Sequence, residues 1–152
     1  MELEQYRQAL MDTAKRLFAV DSPSGYTGEV IALAKEMAEE QGYAARRLNK
    51  GNLVIEIPGR DHSKTVGVCA HVDTLGLMCR AITEKGELLF TRIGGPLLNT
   101  LDGEYCRVHT RDGRVYTGTI LSLSPSVHVF DDADSRPRDE QNMYVRVDEP
   151  VS

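Results

Sequence analysis

Apolar residues recur at helical spacing through the first 42 residues of the chain. One face of the first stretch carries Leu3, Tyr6, Leu10, Ala14, Leu17 and Phe18. A break at residues 21–25, typical of a helix-entry turn, precedes a second stretch with Val30, Ile31, Ala34, Met37 and Ala38. Because charged residues fill the opposite faces, the pattern predicts two amphipathic helices, the second ending at Gly42, that each cover one side of a sheet.

From residue 43 the apolar spacing shortens to every second position, which is typical of strands. Residues 44–48 and 53–57 flank the turn 49–52 and predict a β-hairpin. Residues 65–70 are apolar on both faces instead of alternating. This segment is therefore predicted to be a central strand, buried on both faces of an α/β sheet.

Beyond residue 76 the helical pattern disappears, and short strand-like segments alternate with turn-forming residues. The predicted strands are 77–83, 88–93, 104–109, 115–123, 127–130 and 143–147. A polar stretch, 131–142, separates the last two. The change of pattern predicts an α/β segment over residues 1–76 and a separate, small all-β domain over residues 77–152.

Composition narrows the class of protein. The 152 residues are 41% hydrophobic and 27% charged, and 18 basic against 23 acidic residues give a net charge of −5, which argues against a nucleic-acid partner. No stretch approaches the roughly 20 apolar residues that span a bilayer, and the acidic N-terminus lacks the features of a signal peptide. Three cysteines, an odd number, suggest a reducing compartment. We expect a cytoplasmic protein with no membrane partner.

The candidate chemistry centres on His71 and Asp73, which follow the predicted central strand. Two residues apart on an extended segment, their side chains point to the same side. That end of a strand faces the crevice where α/β sheets bind ligands. A histidine there can bind a metal through one ring nitrogen while a carboxylate orients the ring. The alternative is a histidine and an aspartate that satisfy the hydrogen bonds of a turn.

No second set of ligands stands out elsewhere in the sequence. His62 lies in a polar turn, and His109 is followed closely by a cation. His128 precedes three aspartates, but Arg136 and Arg138 follow them, which is more typical of a solvated loop. The chain also lacks the glycine-rich phosphate-binding motifs and the G-x-S-x-G motif of serine hydrolases.

Several motifs, in order and over nearly the whole chain, resemble the M42 metallo-aminopeptidases, which include glutamyl and tetrahedral aminopeptidases. They are Ser22-Pro23-Ser24-Gly25-Tyr26, Gly51-Asn52-Leu53, Ala70-His71-Val72-Asp73-Thr74-Leu75-Gly76, Arg92-Ile93-Gly94-Gly95, Gly118-Thr119-Ile120, Ser126-Val127-His128 and Met143-Tyr144-Val145-Arg146-Val147-Asp148. The resemblance implies the incomplete N-terminal part of an α/β/α metallopeptidase domain. A small all-β dimerisation domain, a barrel or PDZ-like, would follow the H-x-D segment and form homo-oligomers.

The resemblance also implies a chemistry. Members hydrolyse N-terminal residues from peptide substrates with two divalent metal ions, usually zinc or cobalt. His71 would be a metal ligand, and Asp73 the catalytic carboxylate beside it, which orients His71 and tunes the charge of the site. Thr74 stands where many members have glutamate. The family's general base and remaining ligands follow the inserted domain, so this chain is expected to lack a full metal site and to be inactive alone.

Two other interpretations remain open from the sequence. The chain could be a truncated, non-catalytic product that acts as an interaction module through its β domain. It could also resemble an M20-type deacylase or carboxypeptidase, which carries H-x-D after a strand as well. In that family the inserted domain follows further ligands, so an insertion near Gly76 disfavours it.

Overall fold

A computed structural model describes residues 3–149 of the chain. Its contacts form two compact units, which divide between Leu75 and Gly76. No helix among the described residues combines the length and the apolar character that crossing a membrane would require.

Both predicted helices of the first unit are confirmed, as α1 (Leu3–Phe18) and α2 (Gly28–Glu40). α2 buries Val30, Ile31 and Ala38, three of the apolar residues assigned to its inner face. The chain leaves the helix through Gly42, whose φ of 81° favours glycine. The predicted end of the second helix is therefore correct to within two residues.

The predicted covering role of α1 is wrong in this unit. The helix has no buried residue, and Leu3 and Phe18 on its apolar face are 87% and 78% exposed. An ion pair between Arg16 and Glu40, 3.0 Å apart, joins α1 to α2. The spacing of the apolar residues correctly predicts that this segment is a helix. Among the described residues of the unit, however, the apolar face of α1 packs against no sheet.

The predicted hairpin is confirmed as β1 (Ala44–Arg47) and β2 (Leu53–Glu56), which pair antiparallel. In the turn, the Leu48 N–H donates to the Asn52 carbonyl over 2.7 Å, and the Gly51 N–H donates to the Leu48 carbonyl over 2.9 Å. Gly51 has a φ of 93°, a conformation that side chains with a Cβ rarely adopt. α2 packs against both strands of the hairpin.

The predicted central strand over residues 65–70 is wrong in this structure. The segment has no strand assignment, and Val66 and Val68 are 86% and 91% exposed. A central strand needs neighbours on both sides to bind its N–H and C=O groups. No other segment within residues 3–149 pairs with residues 65–70, so the sheet of an α/β/α domain is not assembled here.

The second unit contains a five-stranded antiparallel sheet and confirms five of the six predicted strands. The strands are β3 (Gly76–Ile82), β4 (Leu88–Ile93), β5 (Tyr105–His109), β6 (Val115–Ser122) and β7 (Met143–Val147). Their order across the sheet is β3-β4-β7-β6-β5. β3 and β5 lie at its two edges and do not pair with each other within the described part of the chain, so the sheet is not closed into a barrel.

The remaining prediction, a strand over residues 127–130, is wrong. The Ser126 carbonyl accepts hydrogen bonds from the N–H groups of Val129 and Phe130, over 3.1 and 2.9 Å, which makes this segment a turn. Val127 and Val129 are 66% and 73% exposed. The β-branched residues that suggested a strand therefore pack against nothing that would stabilise one.

A compact apolar core holds the second unit together. It consists of Phe90, Leu98, Ile120, Met143 and Val145, which are all buried. β7 supplies two of them because it lies between β4 and β6, with Val145 opposite Leu88 on one side and Ile120 on the other. The last strand in the sequence is therefore central in the sheet.

The polar stretch 131–142 is a loop in which Asp131, Asp134 and Ser135 are exposed, as its charges suggested, but several of its other charges are paired. Ser124 Oγ donates to Asp132 Oδ1 over 2.9 Å, and Arg136 Nε lies 2.7 Å from Asp132 Oδ2. Arg138 pairs with Asp102 at 3.1 Å. Its charges order the segment by pairing with one another and with the rest of the unit.

Candidate functional site

His71 and Asp73 lie on the extended segment that closes the first unit, and their side chains are in contact. His71 Nδ1 lies 3.1 Å from Asp73 Oδ1 and 3.2 Å from the Asp73 carbonyl oxygen. The histidine side chain is 84% exposed and that of the aspartate 39%. With Nδ1 directed at the carboxylate, Nε2 is the ring nitrogen that could bind a metal.

The loop at residues 22–25 contacts this pair directly. Ser24 Oγ donates a hydrogen bond to Asp73 Oδ2. On either side of Asp73, Ser22 Oγ donates to the Val72 carbonyl over 3.0 Å, and the Thr74 N–H donates to the Ser22 carbonyl over 2.8 Å. The sequence indicates only a helix-entry turn here. No local signal could have revealed contacts that join residues 49 and 50 positions apart.

The surroundings of Asp73 favour its ionised form. The hydrogen bond from the Ser24 hydroxyl is the main cause that lowers the pKa of Asp73, and the contacts with its own backbone and with His71 lower it further. An ionised carboxylate can only accept hydrogen bonds, so of the two neutral tautomers of the imidazole it favours the one with the proton on Nδ1. That tautomer leaves the lone pair on Nε2.

The donor set fits one ligand of a metal site and does not fit a complete two-metal site. Within residues 3–149 no three His, Cys, Asp or Glu side chains gather in a group that could hold an ion. Two neighbouring metals need several more ligands than one imidazole and one carboxylate. The roles assigned to His71 and Asp73 stay predictions that their mutual geometry supports.

Two cavities of the first unit lie elsewhere. One, of about 450 Å³, lies at the β1–β2 turn and is lined by Arg46, Arg47, Leu48, Asn49, Lys50 and Asn52. Another, of about 440 Å³, lies at the start of α2 beside Tyr26 and Arg47. Both are open to solvent, and neither includes His71 or Asp73, so the candidate chemistry is carried by an exposed pair.

Comparison with known proteins gives a consistent family. The model of the M42 glutamyl aminopeptidases matches residues 51–152. "Putative aminopeptidase YhfE" of Bacillus subtilis (strain 168) is 43% identical over 141 residues, which are 93% of this chain. The solved structure of aminopeptidase APDkam598 from the archaeon Desulfurococcus kamchatkensis is 28% identical, with a TM-score of 0.81 over 95% of this chain.

A third relative shares the fold at lower identity. The Pyrococcus horikoshii TET1 peptidase, described as assembling into a tetrahedron or a large octahedral shell, is 23% identical, with a TM-score of 0.68 over 91% of this chain. All three relatives are longer than this chain. It spans 41% of YhfE, 38% of APDkam598 and 40% of the TET1 peptidase.

Proposed function

The chain belongs to the M42 glutamyl aminopeptidase family, and from this we propose that it forms the N-terminal portion of a two-metal aminopeptidase that removes N-terminal residues from peptides. Residues 1–76 would belong to the catalytic domain and residues 77–152 would form the dimerisation domain. The family match does not favour an M20-type deacylase. The observation that carries the proposal is the contact between His71 Nδ1 and Asp73 in a chain of this family.

In this proposal each residue of the pair has a distinct task. His71 would bind one ion through Nε2, and Asp73 would hold the ring and its tautomer through Nδ1. Zinc or cobalt, bound at a complete site, would supply Lewis-acid chemistry for hydrolysis of the peptide bond. The described residues provide one part of such a site, so the 152-residue chain is expected to be inactive by itself.

A chimera tests the proposal. The aligned part of YhfE is replaced by this chain, and turnover of aminoacyl p-nitroanilides is measured with zinc or cobalt, with intact YhfE as the reference. We expect an active chimera, because the chain would supply its share of the site. Asp73→Asn should lower activity by about 10- to 100-fold, the usual effect of removing the partner of a metal-bound histidine, and His71→Ala should lower it further.

The matched control is His62→Ala, since His62 lies in a polar turn outside the pair. This variant should keep full turnover, and the isolated 152-residue chain should show none with either metal. The proposal fails if a folded chimera is inactive while intact YhfE turns over. It fails equally if His71→Ala leaves the chimera's rate unchanged, or if the isolated chain hydrolyses the substrate.

We propose further that the second unit forms homo-oligomers. Strands β3 and β5, at the sheet edges, carry exposed apolar side chains, with Met78, Ile82 and Tyr105 at 56%, 67% and 78% exposure. Edge strands offer N–H and C=O groups to another strand. The self-assembly stated for the P. horikoshii TET1 peptidase supports a second copy of the chain as the partner.

The proposed cellular location is the cytoplasm. Its support is the cysteine content, since Cys69, Cys79 and Cys106 are all free thiols. Free cysteines persist where the compartment is reducing.

A further inference from the structure

The loop at residues 22–25 has no task in the proposed function, although it forms hydrogen bonds to Asp73 and to the two residues that flank it. Ser24 Oγ donates to Asp73 Oδ2, and His71 Nδ1 faces the other carboxylate oxygen, Oδ1. The two oxygens of one carboxylate are thus shared between a hydroxyl and an imidazole. This division gives the carboxylate one orientation.

We propose that Ser24 is a positioning residue for the His71–Asp73 pair: its hydroxyl holds the Asp73 carboxylate so that Oδ1 accepts the Nδ1 proton of His71. This inference rests on the proposed function only in one respect, that Nε2 of His71 binds a metal ion. The orientation itself follows from the contacts of the first unit.

A free carboxylate on an exposed segment would rotate about its Cβ–Cγ bond. The carboxylate of Asp73 is 39% exposed and the histidine 84%, so packing contributes little to their orientation. A hydroxyl that donates to an ionised carboxylate forms one of the stronger hydrogen bonds of proteins. Ser24 therefore supplies a directional contact to the carboxylate from outside the segment.

The backbone of the loop is held independently of the Ser24 side chain. Ser22 is 1% exposed, its hydroxyl donates to the Val72 carbonyl, and its own carbonyl accepts from the Thr74 N–H. Pro23 and Thr74 form a parallel β-bridge, and the Tyr26 N–H closes the loop onto the Pro23 carbonyl over 2.7 Å. Removing the Ser24 hydroxyl should consequently free the carboxylate without releasing the loop.

The expected result is a change of tautomer at His71. A carboxylate held at Nδ1 favours the neutral ring protonated on Nδ1, whereas free imidazole side chains in water favour the proton on Nε2. Only the first form leaves Nε2 unprotonated and available to a metal. Ser24 would thus determine, through Asp73, which nitrogen of His71 is available.

The experiment measures the ¹⁵N shifts of the histidine ring in the 152-residue chain without metal, at a pH where the ring is neutral. We expect the Nδ1–H form to predominate at His71. In Ser24→Ala the ratio of Nδ1–H to Nε2–H should fall at least about threefold, as expected for loss of a hydrogen bond to a charged group. Ser24→Thr, which keeps a hydroxyl, should restore it.

Two further variants separate positioning from folding. Asp73→Asn should remove the tautomer preference altogether, and Ser24→Cys, close in shape but a weak donor, should behave like Ser24→Ala with an otherwise unchanged amide spectrum. A tautomer ratio that is unaltered in both Ser24→Ala and Ser24→Cys, while Asp73→Asn shifts it, would overturn the proposal. The tautomer measurement involves neither metal nor turnover. An inactive chimera would therefore count against the proposed function, whereas an unchanged tautomer ratio would count against the role of Ser24.

Discussion

At the scale of single residues, a short sequence motif predicts some contacts of the candidate site and misses others. The spacing of His71 and Asp73 predicts that their side chains point to the same side, and in the structure they lie 3.1 Å apart. Ser24 could not be found in the same way, because its partner is 49 positions away and a serine beside proline is ordinary turn chemistry. The residue that orients the pair is therefore visible only in the folded chain.

Gly118 is a position at which one added methyl group should be costly. It lies in β6, between Cys106 of β5 and Val147 of β7, and a Cβ there would be 2.7 Å from Val145 Cγ1 and 3.1 Å from the Arg146 carbonyl oxygen. We expect Gly118→Ala to lower the free energy of unfolding by about 1–3 kcal/mol, the usual cost of overpacking. Urea unfolding followed by circular dichroism measures this.

Gly95 provides the matched control for that substitution. It lies in the same unit, its φ is not positive, and a Cβ would meet nothing within 4 Å. Gly95→Ala should change the free energy of unfolding by no more than about 0.5 kcal/mol. Equal midpoints for the two alanine variants would contradict the close packing of β6 against β7.

Elements differ in what stabilises them. The strands of the second unit are stabilised by apolar residues that their spacing already revealed, whereas the segment 131–142 is stabilised by paired charges. Glu140 attaches this segment to β4, because its carboxylate accepts from the Arg92 N–H over 2.9 Å, from Arg92 Nε over 3.1 Å and from Thr91 Oγ1 over 3.1 Å. A charge pattern predicts a polar loop, but not which charges will pair.

This attachment should depend on pH. The Arg92 N–H and then the guanidinium hold the pKa of Glu140 below its ordinary range, so the contact stabilises the fold above the unfolded pKa of roughly 4.3. That stabilisation is lost as the pH falls through the lower, folded pKa. We expect Glu140→Gln to unfold at lower urea than the parent at pH 7, with the difference vanishing in acid.

The control for Glu140 is Glu84→Gln, a change at an exposed glutamate in the turn between β3 and β4. Its urea midpoint should follow the parent at every pH, since the other carboxylates titrate alike in both proteins. A constant gap between Glu140→Gln and the parent from pH 7 into acid would show that the carboxylate's charge is not what attaches the loop.

At the scale of the whole molecule, the two units differ in how well they bury their apolar residues. The second has its own core of five buried apolar residues, and the first leaves the apolar face of α1 and the segment 65–70 exposed. The chain spans about two-fifths of the length of these relatives.

Hydrogen exchange of the 152-residue chain should display this difference. We expect the amides of β6, which pairs with strands on both sides, to exchange most slowly, because their opening requires the sheet to unfold. Those of Val66 and Val68 should exchange at nearly the rate of an unstructured peptide, since no strand pairs with them within residues 3–149. Dilution removes any protection that comes from contacts between copies of the chain. Protection at residues 65–70 that remains in dilute protein would therefore contradict this structure.

The amino-acid sequence by itself determined the two helices, the first hairpin, five strands and the common side of His71 and Asp73, because each depends on residues that are close in the chain. The family resemblance also came from the sequence, through the order of its motifs. Only the tertiary structure decided that β7 lies between β4 and β6, that residues 65–70 remain unpaired, and that Ser24 holds Asp73. Those outcomes depend on which distant backbone and side-chain groups find partners. The spacing of apolar residues carries no information about that pairing.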